Sequence, residues 1–323
     1  MSGRLAAGMA GALLLSCGAA LAQGAFPSRP ILMVIAFAPG GGTDTTGRIV
    51  ARRLGENLQQ NVVVENRAGA GGNIATDFVA KSAPDGYTIA LTSVGPLTVA
   101  PHMIARLPYD PLRDLAPISL AVTFGNVVTA SPSLGASTLA DYLRIAREKP
   151  GSVIFGSSGI GGMGHLAGAL LSQLASVELV HAPYKGGGPA MQDLLGGQIP
   201  SIIAAMPSAL PHIRSGRIRA LAVTGPRRTA VLPAVPTVAE SGFPGYEATN
   251  WYAFVAPAKT PPAVIERLHR EITAALRSQE THDQLAAHGM EPIPSTPAEL
   301  TRQIEREFAV WGKVVREAKI TAN

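Results

Sequence analysis

The sequence predicts an α/β protein built from two units, each with its own sheet and flanking helices. Its 323 residues exceed what one simple core accommodates and suit two units of about 100–150 residues each. Hydrophobic residues make up 46% of the chain, and runs of them alternate with stretches of helical periodicity. Gly and Pro are scattered between these runs, which is typical of turns.

The first hundred residues contain a βαβαβ pattern. The strands are expected at residues 31–36, 61–65 and 87–92. Thr43 and Asp44 are expected to cap the first helix. Asn73 is expected to cap the second helix, which runs to Lys81. Strands that alternate with helices in this order predict a parallel sheet.

The middle of the chain repeats this scheme, and the tail is helical. Further strands are expected at residues 153–155, 177–180, 199–204 and 218–224, with an extended segment at 249–256. Helices are expected from about residue 165, at 189–195, at 207–214, after the Thr-Pro-Pro start at 260–262, and at 297–318.

The N-terminus has the pattern of a signal peptide covering residues 1–22. Arg4 precedes an apolar stretch at residues 5–15, and Ala20-Leu21-Ala22 predicts cleavage after Ala22. The stretch is too short to span a membrane. A lipoprotein cleavage site at Cys17 is the alternative, although Leu15 fits that site poorly.

Composition excludes several kinds of function. Charged residues are 15% of the chain and the formal net charge is +5, but the basic residues form no stripe, so no nucleic-acid partner is expected. The only cysteine lies in the signal segment, and the histidines are dispersed. We therefore expect no thiol nucleophile, no metal site and no cofactor.

Two glycine-rich patterns are similar to sequence motifs of enzymes. Residues 156–160 (GSSGI) approach a G-x-S-x-G nucleophile elbow but have Ile where the last Gly is required. Residues 159–164 (GIGGMG) match G-x-G-x-x-G, yet the next acid, Glu178, follows too soon to bind a ribose. Glycines that let backbone amides approach a small anion explain both patterns better, so no catalytic residue is expected.

Eleven short motifs carry a resemblance to one family. They are FPSRP (26–30), FAPGGGTD (37–44), VVVENR (62–67) with GAGGN (69–73), APDGYT (83–88), LPYDP (107–111), GSSG (156–159), HLAG (165–168), PYKGG (183–187), PSALPH (207–212), LPAVPT (232–237) and WGKVV (311–315). Each is weak alone, but together, in this order over most of the chain, the sequence resembles the Bug family of tripartite tricarboxylate transporter receptors.

The resemblance implies a two-lobed Venus-flytrap fold of the periplasmic-binding-protein type (type II-like), each lobe a mixed sheet flanked by helices. Lobe 1 would comprise residues 27–125 plus 251–323, and lobe 2 residues 126–250, with hinge crossings near 124–128 and 249–251. The implied protein is a monomeric, periplasmic receptor. It would deliver a small carboxylate to the membrane subunits of a tripartite tricarboxylate transporter. The alternative partner is a sensor protein that recognises the closed form.

The ligand is expected where strand ends meet helix starts, because free N–H groups there favour an anion. Two loops offer this geometry, at residues 37–44 and 156–165, and the resemblance implies that both hold the ligand carboxylate. The proposed ligand-binding residues are Phe37, Ala38, Gly40, Gly41, Asp44, Ser93, Ser157, Ser158, Gly159, His165, Lys185, Ala204 and Asn250.

Several of these residues have an alternative, purely structural role. Asp44 is as consistent with a helix cap as with a site contact, and Phe37 with core packing as with a pocket wall. The alternative for Ser93 is a turn residue, and for Lys185 a solvated side chain. His165, at a helix start, is expected to be neutral and either to cap the loop or to contact the ligand.

Two departures from the family pattern indicate the class of ligand. Relatives carry an acid at the position of Ala169, and another near Ala204, where this chain has none. An amino-acid ligand needs a carboxylate partner for its ammonium group. The sequence therefore favours a mono- or dicarboxylate or an aromatic acid over an amino acid.

Overall fold

The computed structural model describes residues 26–317. The strands in this part of the chain are β1 Ile31–Ile35, β2 Val62–Asn66, β3 Thr88–Ser93, β4 Leu115–Ala130, β5 Val153–Ser157, β6 Leu179–Pro183, β7 Ser201–Ala205, β8 Arg219–Val223, β9 Thr249–Pro257 and β10 Glu291–Pro292. The expected signal peptide and Cys17 lie outside the described residues.

Helices flank the strands throughout. They are α1 Gly42–Leu58, α2 Asn73–Ala80, α3 Ala100–Met103, α4 Leu139–Glu148, α5 Met163–Ala175, α6 Gly187–Leu195, α7 Met206–Arg214, α8 Pro262–Arg277, α9 Gln279–Ala287 and α10 Pro297–Glu317. Within residues 26–317, no helix is both long enough and apolar enough to cross a membrane.

The sheet is mixed, and its strands run in the order β2-β1-β3-β9-β4-β7-β5-β6. Strands β1, β2 and β3 pair in parallel, as the βαβαβ pattern predicts. Strands β5, β6 and β7 also pair in parallel. Between these two sets, β9 and β4 run antiparallel to their neighbours.

Strand β4 joins two parts of this sheet. Its residues 115–125 pair with β9, whereas residues 126–130 pair with β7 and β8. We call β1–β3, β9, β10 and residues 115–125 the first part, and β5–β8 with residues 126–130 the second part. The change of partners falls inside the expected hinge crossing. The lobe boundaries themselves stay a prediction.

The C-terminal helices pack on the first part of the sheet. Helix α8 buries Leu268 and Ile272 against β4 and α1. Trp251 of β9 is 2% exposed, and its indole N–H donates to the Glu307 carboxylate of α10 at 2.8 Å. Burial raises the pKa of Glu307. The tail thus packs against β4 and β9, two strands of the first part of the sheet.

Local expectations were wrong at two helix starts. Helix α1 begins at Gly42 with Gly41 as its N-cap, and no side chain caps it. The Asp44 carboxylate instead accepts from the Gly40 N–H, 3.0 Å away, outside the helix. Asn73 is the first residue of α2, and its amide donates to Ala70 O at 2.6 Å. In both cases a glycine takes the N-cap position, so no cap side chain is present.

The sequence analysis also missed whole elements. Strand β4, at 16 residues, was expected only as a crossing, because Pro117 and Gly125 interrupt its pattern. Helices α4 and α9 were not expected. Strand β6 begins at Leu179, two residues later than expected, because Ser176 ends α5 in a left-handed conformation and Val177 still bonds back to that helix.

Candidate functional site

A narrow cavity lies where loops from both parts of the sheet meet. The first part contributes Phe37, Gly41, Gly42, Thr43, Ser93, Asn250 and Tyr252. The second part contributes Asn126, Ser158, Gly162, Met163, Gly164, Gly187, Ile202, Ile203, Ala204 and Ala205. Its backbone walls are the loop that leaves β1 and the loop that leaves β5, the two that the sequence proposed.

Four helices begin at this cavity. The N-cap residues of α1, α5, α6 and α7 are Gly41, Gly162, Gly186 and Ala205, and none of the four has a side-chain cap hydrogen bond. The first N–H groups of a helix have no partner within it. Together with the helix dipoles they create a site that favours an anion. Each part of the sheet supplies at least one of these helices.

Neutral polar side chains complete the lining. They are Thr43, Ser93, Asn126, Ser158, Asn250 and Tyr252. Within residues 26–317, the hydroxyls of Ser93 and Ser158 have no hydrogen-bond partner. Burial raises the pKa of Tyr252, so its phenol stays a donor. No Asp, Glu, His, Lys or Arg is among the lining residues. An anion would therefore be held by hydrogen-bond donors rather than by a counter-charge.

One acceptor in the lining is unsatisfied. The Asn250 side-chain amide donates to Asn126 Oδ1 at 3.3 Å. Its own Oδ1 is buried and has no partner among the described residues. A buried acceptor of this kind usually accepts a hydrogen bond, for example from a water molecule or a ligand hydroxyl. The cavity thus offers mostly donors and one acceptor.

The loops that enclose the cavity touch each other through backbone atoms. The Ala38 N–H donates to Lys185 O at 3.1 Å. Gly188 approaches so closely that a Cβ there would lie 2.3 Å from Pro39 O. On the opposite side, a Cβ on Gly71 would lie 2.2 Å from Ile160 O. The close contacts at Gly188 and Gly71 require glycine, because a side chain at either position would not fit between the loops.

The cavity has a volume of about 20 Å³, room for about one water molecule. This cavity alone therefore does not hold a carboxylate with several carbons. A second cavity of about 130 Å³ lies between the loop that leaves β5 and the segments around Gly71 and Gly95. Its lining is mostly apolar and includes Ala100, Met103, Ile104 and Ile160. Gly95 of its wall adjoins Gly162 of the first cavity.

The structure brings six of the proposed ligand-binding residues to the narrow cavity: Phe37, Gly41, Ser93, Ser158, Ala204 and Asn250. Four others lie in the contacting loops without lining it: Ala38, Gly40, Gly159 and Lys185. Lys185 participates through its carbonyl, and its side chain is exposed.

Asp44 is occupied by other partners. Its carboxylate accepts from Arg48 Nε at 2.9 Å and from Asn66 Nδ2 at 3.0 Å. The same Asn66 amide donates to Phe37 O at 2.9 Å. Asp44 therefore stabilises the loop that forms the cavity wall, and it does not cap α1, which was the structural alternative considered from the sequence.

Ser157 and His165 lie behind the cavity wall. Ser157 is fully buried, and its hydroxyl lies 2.7 Å from His181 Nε2. His165 lines a separate cavity together with His181 and Glu178. Burial lowers the pKa of His165 to about 4, so the ring is neutral at pH 7, as the sequence predicted.

Sequence reasoning missed half of the polar lining. Asn126 and Tyr252 come from β4 and β9, the antiparallel strands in the middle of the sheet. Thr43 was considered only as a helix cap. Gly187 and Ala205 come from the starts of α6 and α7. The PYKGG and PSALPH motifs marked these two helix starts, which could have been recognised as further anion-binding termini.

The sheet has an anion-favouring cavity at its centre, where strand ends and helix starts meet. This arrangement is typical of a solute-binding protein of the periplasmic type. The predicted fold class is confirmed. Residues 46–320 match the model of the tripartite tricarboxylate transporter family receptors. The chain is 42% identical over 293 residues to the protein BugT of Bordetella pertussis, covering 90% of each chain. It belongs to this receptor family, as the motifs indicated.

Two solved structures are similar over nearly the whole chain. The R. palustris protein Rpa4515, solved with adipate, has a TM-score of 0.88 and 35% identity, covering 92% of this chain and 99% of its own. The periplasmic binding protein BugD has a TM-score of 0.88 and 32% identity, covering 92% of this chain and 99% of its own. One of these two similar proteins is thus a periplasmic binding protein, and the other was solved with a dicarboxylate.

Proposed function

We propose that this protein is an exported receptor that binds a small mono- or dicarboxylate or an aromatic acid and delivers it to the membrane subunits of a tripartite tricarboxylate transporter. The observation that carries the proposal is the convergence of four uncapped helix N-termini on one cavity. Such termini bind carboxylates through backbone N–H groups without a basic side chain.

The carboxylate would lie between the starts of α1 and α5. Ser158, next to the start of α5, has a hydroxyl without a protein partner, and so has Ser93 on the opposite wall. Both would donate to the ligand oxygens. The adipate bound by the similar R. palustris protein supports a dicarboxylate of this size.

The apolar cavity beside this site would receive the remainder of the ligand. Its volume of about 130 Å³ is close to that of a cavity that holds one benzene ring. Its lining by Met103, Ile104 and Ile160 suits methylene groups or an aromatic ring. The absence of acids in the lining of both cavities disfavours amino acids.

Ligand entry would require the two parts of the sheet to move about β4 and β9. Within residues 26–317, β4 pairs with strands of both parts, and β9 begins at the second crossing of the chain. We propose that residues 27–125 plus 251–323 and residues 126–250 are the two lobes, and that the glycine contacts separate as the lobes open. Closure would then bury the ligand, as hinge motions do.

A hydrolase is the less favoured alternative. Ser158 faces the cavity, but no histidine or carboxylate lines it, so a general base is missing. Ser157 does contact His181, yet its hydroxyl is fully buried and also accepts from Gly159 N–H. We therefore assign no catalytic role to the residues that line this cavity.

Replacing Ser158 by alanine is expected to weaken carboxylate binding by about 1.5–3 kcal/mol, because one hydrogen bond to a charged group is lost. This corresponds to a rise in Kd of about tenfold to a hundredfold. Titration calorimetry with adipate and with benzoate would measure it.

The matched control is Ser215→Ala, which removes an exposed hydroxyl at the end of α7 that bonds only His212 O. Its Kd should equal that of the unmodified protein. Equal Kd values for Ser158→Ala and Ser215→Ala would show that Ser158 does not contact the ligand.

A further inference from the structure

Two stacked histidines and a serine lie directly behind the loop that forms one wall of the candidate site. The rings of His165 and His181 are 3.9 Å apart and 13° from parallel. His181 Nε2 is 2.7 Å from Ser157 Oγ. His165 Nδ1 is 3.2 Å from the backbone N of Gly161. A continuous series of contacts therefore connects the end of β5 to the loop.

The contact with Gly161 fixes the protonation of the His165 ring. The Gly161 N–H can only donate, so His165 Nδ1 must be an unprotonated acceptor, and the ring proton is on Nε2. Ser157 Oγ accepts from Gly159 N–H, and its own proton can go to Gly159 O or to His181 Nε2. This contact holds the His181 ring in place with either ring nitrogen protonated. His165 is neutral in this arrangement.

The supported loop, residues 159–162, faces the ligand site on its other side. Gly162 lines the narrow cavity, and Ile160 and Gly161 line the apolar one. A Cβ on Gly95 of the opposite loop would lie 2.9 Å from Gly161 O. The loop thus shapes both cavities and forms one of the contacts between the two parts of the sheet.

Burial and the helix dipole both oppose a positive charge on His165. Burial lowers its pKa to about 4, and burial together with the neighbouring His165 lowers the pKa of His181 to about 3. His165 is also in the first turn of α5, where the helix dipole opposes a cation. Among the residues that line the cavity around the pair, Glu178 is the only carboxylate, and the others are neutral.

We propose that His165, braced by His181 and Ser157, is a positioning residue that holds the 159–162 loop in its ligand-binding conformation, and that protonation of His165 releases the loop and weakens ligand binding. The inference rests on the proposed carboxylate function. A protonated Nδ1 would point a donor at the Gly161 N–H donor, so the hydrogen bond would be lost and the loop would have to move.

The direction of the pH effect follows from the lowered pKa. Between the ordinary histidine pKa of 6.5 and the lowered value of about 4, the unfolded chain binds a proton that the folded protein excludes. The contribution of His165 to folding stability therefore declines as the pH falls through this range. Ligand affinity should decline most steeply near pH 4, where the folded protein itself takes up the proton.

Two substitutions separate positioning from packing. Asparagine at position 165 keeps an acceptor near the place of Nδ1 and cannot be protonated, whereas leucine fills the space and has no acceptor. At pH 7, His165→Leu should raise the Kd for adipate by about threefold to tenfold. His165→Asn should recover most of that loss.

The decisive measurement is the ratio of the Kd of the unmodified protein to that of His165→Asn, from pH 7 to pH 4. Protonation of the ligand and of other groups cancels in this ratio. We expect the ratio to rise as the pH approaches 4. A ratio that stays constant, or a His165→Leu variant that binds like the unmodified protein, would overturn the inference.

A measurement without ligand keeps the inference testable if the leucine variant does not fold. Nitrogen NMR of the imidazole should show His165 Nδ1 unprotonated from pH 7 to pH 5. Titration of His165 near pH 6.5 would contradict the inference. If the unmodified protein binds no carboxylate while His165 shows the expected tautomer, the proposed function fails and the positioning role stands.

Discussion

Replacing Gly188 by alanine is expected to weaken carboxylate binding by about tenfold to a hundredfold. The added Cβ would lie 2.3 Å from Pro39 O on the opposite loop, which is far inside contact distance. Overpacking of this kind typically costs about 1–3 kcal/mol. The substitution should hinder closure of the two parts of the sheet over the ligand, because the clash is between these parts and not within one of them.

The same substitution should leave the ligand-free protein as stable as before, or slightly more stable. Gly188 is in the first turn of α6 and has no left-handed backbone conformation, and alanine favours helices over glycine by about 1 kcal/mol. Titration calorimetry and thermal unfolding, performed on the same samples, separate the two effects. Loss of binding without loss of stability is the expected combination.

The control is Gly196→Ala at the other end of α6, where the methyl group would contact only carbonyl oxygens of α6 itself. It should bind carboxylate as the unmodified protein does. Unchanged binding in Gly188→Ala would show that the loops around Pro39 and Gly188 need not meet in the bound state.

Replacing Ala204 by aspartate is expected to lower the affinity for a dicarboxylate by about a hundredfold. Ala204 lines the narrow cavity and is 3% exposed. Like charges about 5 Å apart, at an effective dielectric constant of about 20, repel by about 3 kcal/mol, or about a hundredfold in Kd. The same change should improve the binding of acidic amino acids by giving their ammonium group a partner.

Ala204→Asn separates charge from size in this experiment. The asparagine and aspartate side chains have the same shape, so the difference between their Kd values at pH 8 reports the charge alone. Equal losses in both variants would mean that crowding, and not charge, excludes the ligand. A preference of the unmodified protein for amino acids would contradict the ligand class that Ala169 and Ala204 indicate.

The sequence predicted the parallel strands well because their signals are local. Each is a short apolar run followed by a glycine-rich loop and a helix, so β1, β3 and β5 and the loops after them were found. The residues that these loops deliver, such as Phe37, Ser93 and Ser158, do reach one cavity. Strands β4 and β9 pair over long sequence separations, and local periodicity contains no signal for that pairing.

The side-chain directions at the β5 end could not be predicted for a related reason. Successive residues of a strand point to opposite faces, so of Ser157 and Ser158 only one can face the ligand site. Which one does so depends on where β5 ends and α5 begins. The structure starts α5 at Met163, two residues earlier than expected. That start leaves His165 behind the cavity wall, beside His181.

Titration calorimetry of the purified protein with a panel of small acids tests the central claim most directly. The panel contains C4–C8 dicarboxylates, benzoate and its substituted forms, and the acidic amino acids. We predict one-to-one binding of at least one member of the first two classes, with amino acids weaker, and a Kd that rises in Ser158→Ala and Gly188→Ala. Binding of no carboxylate, or carboxylate binding that both substitutions leave unchanged, would contradict a receptor whose ligand lies between these loops.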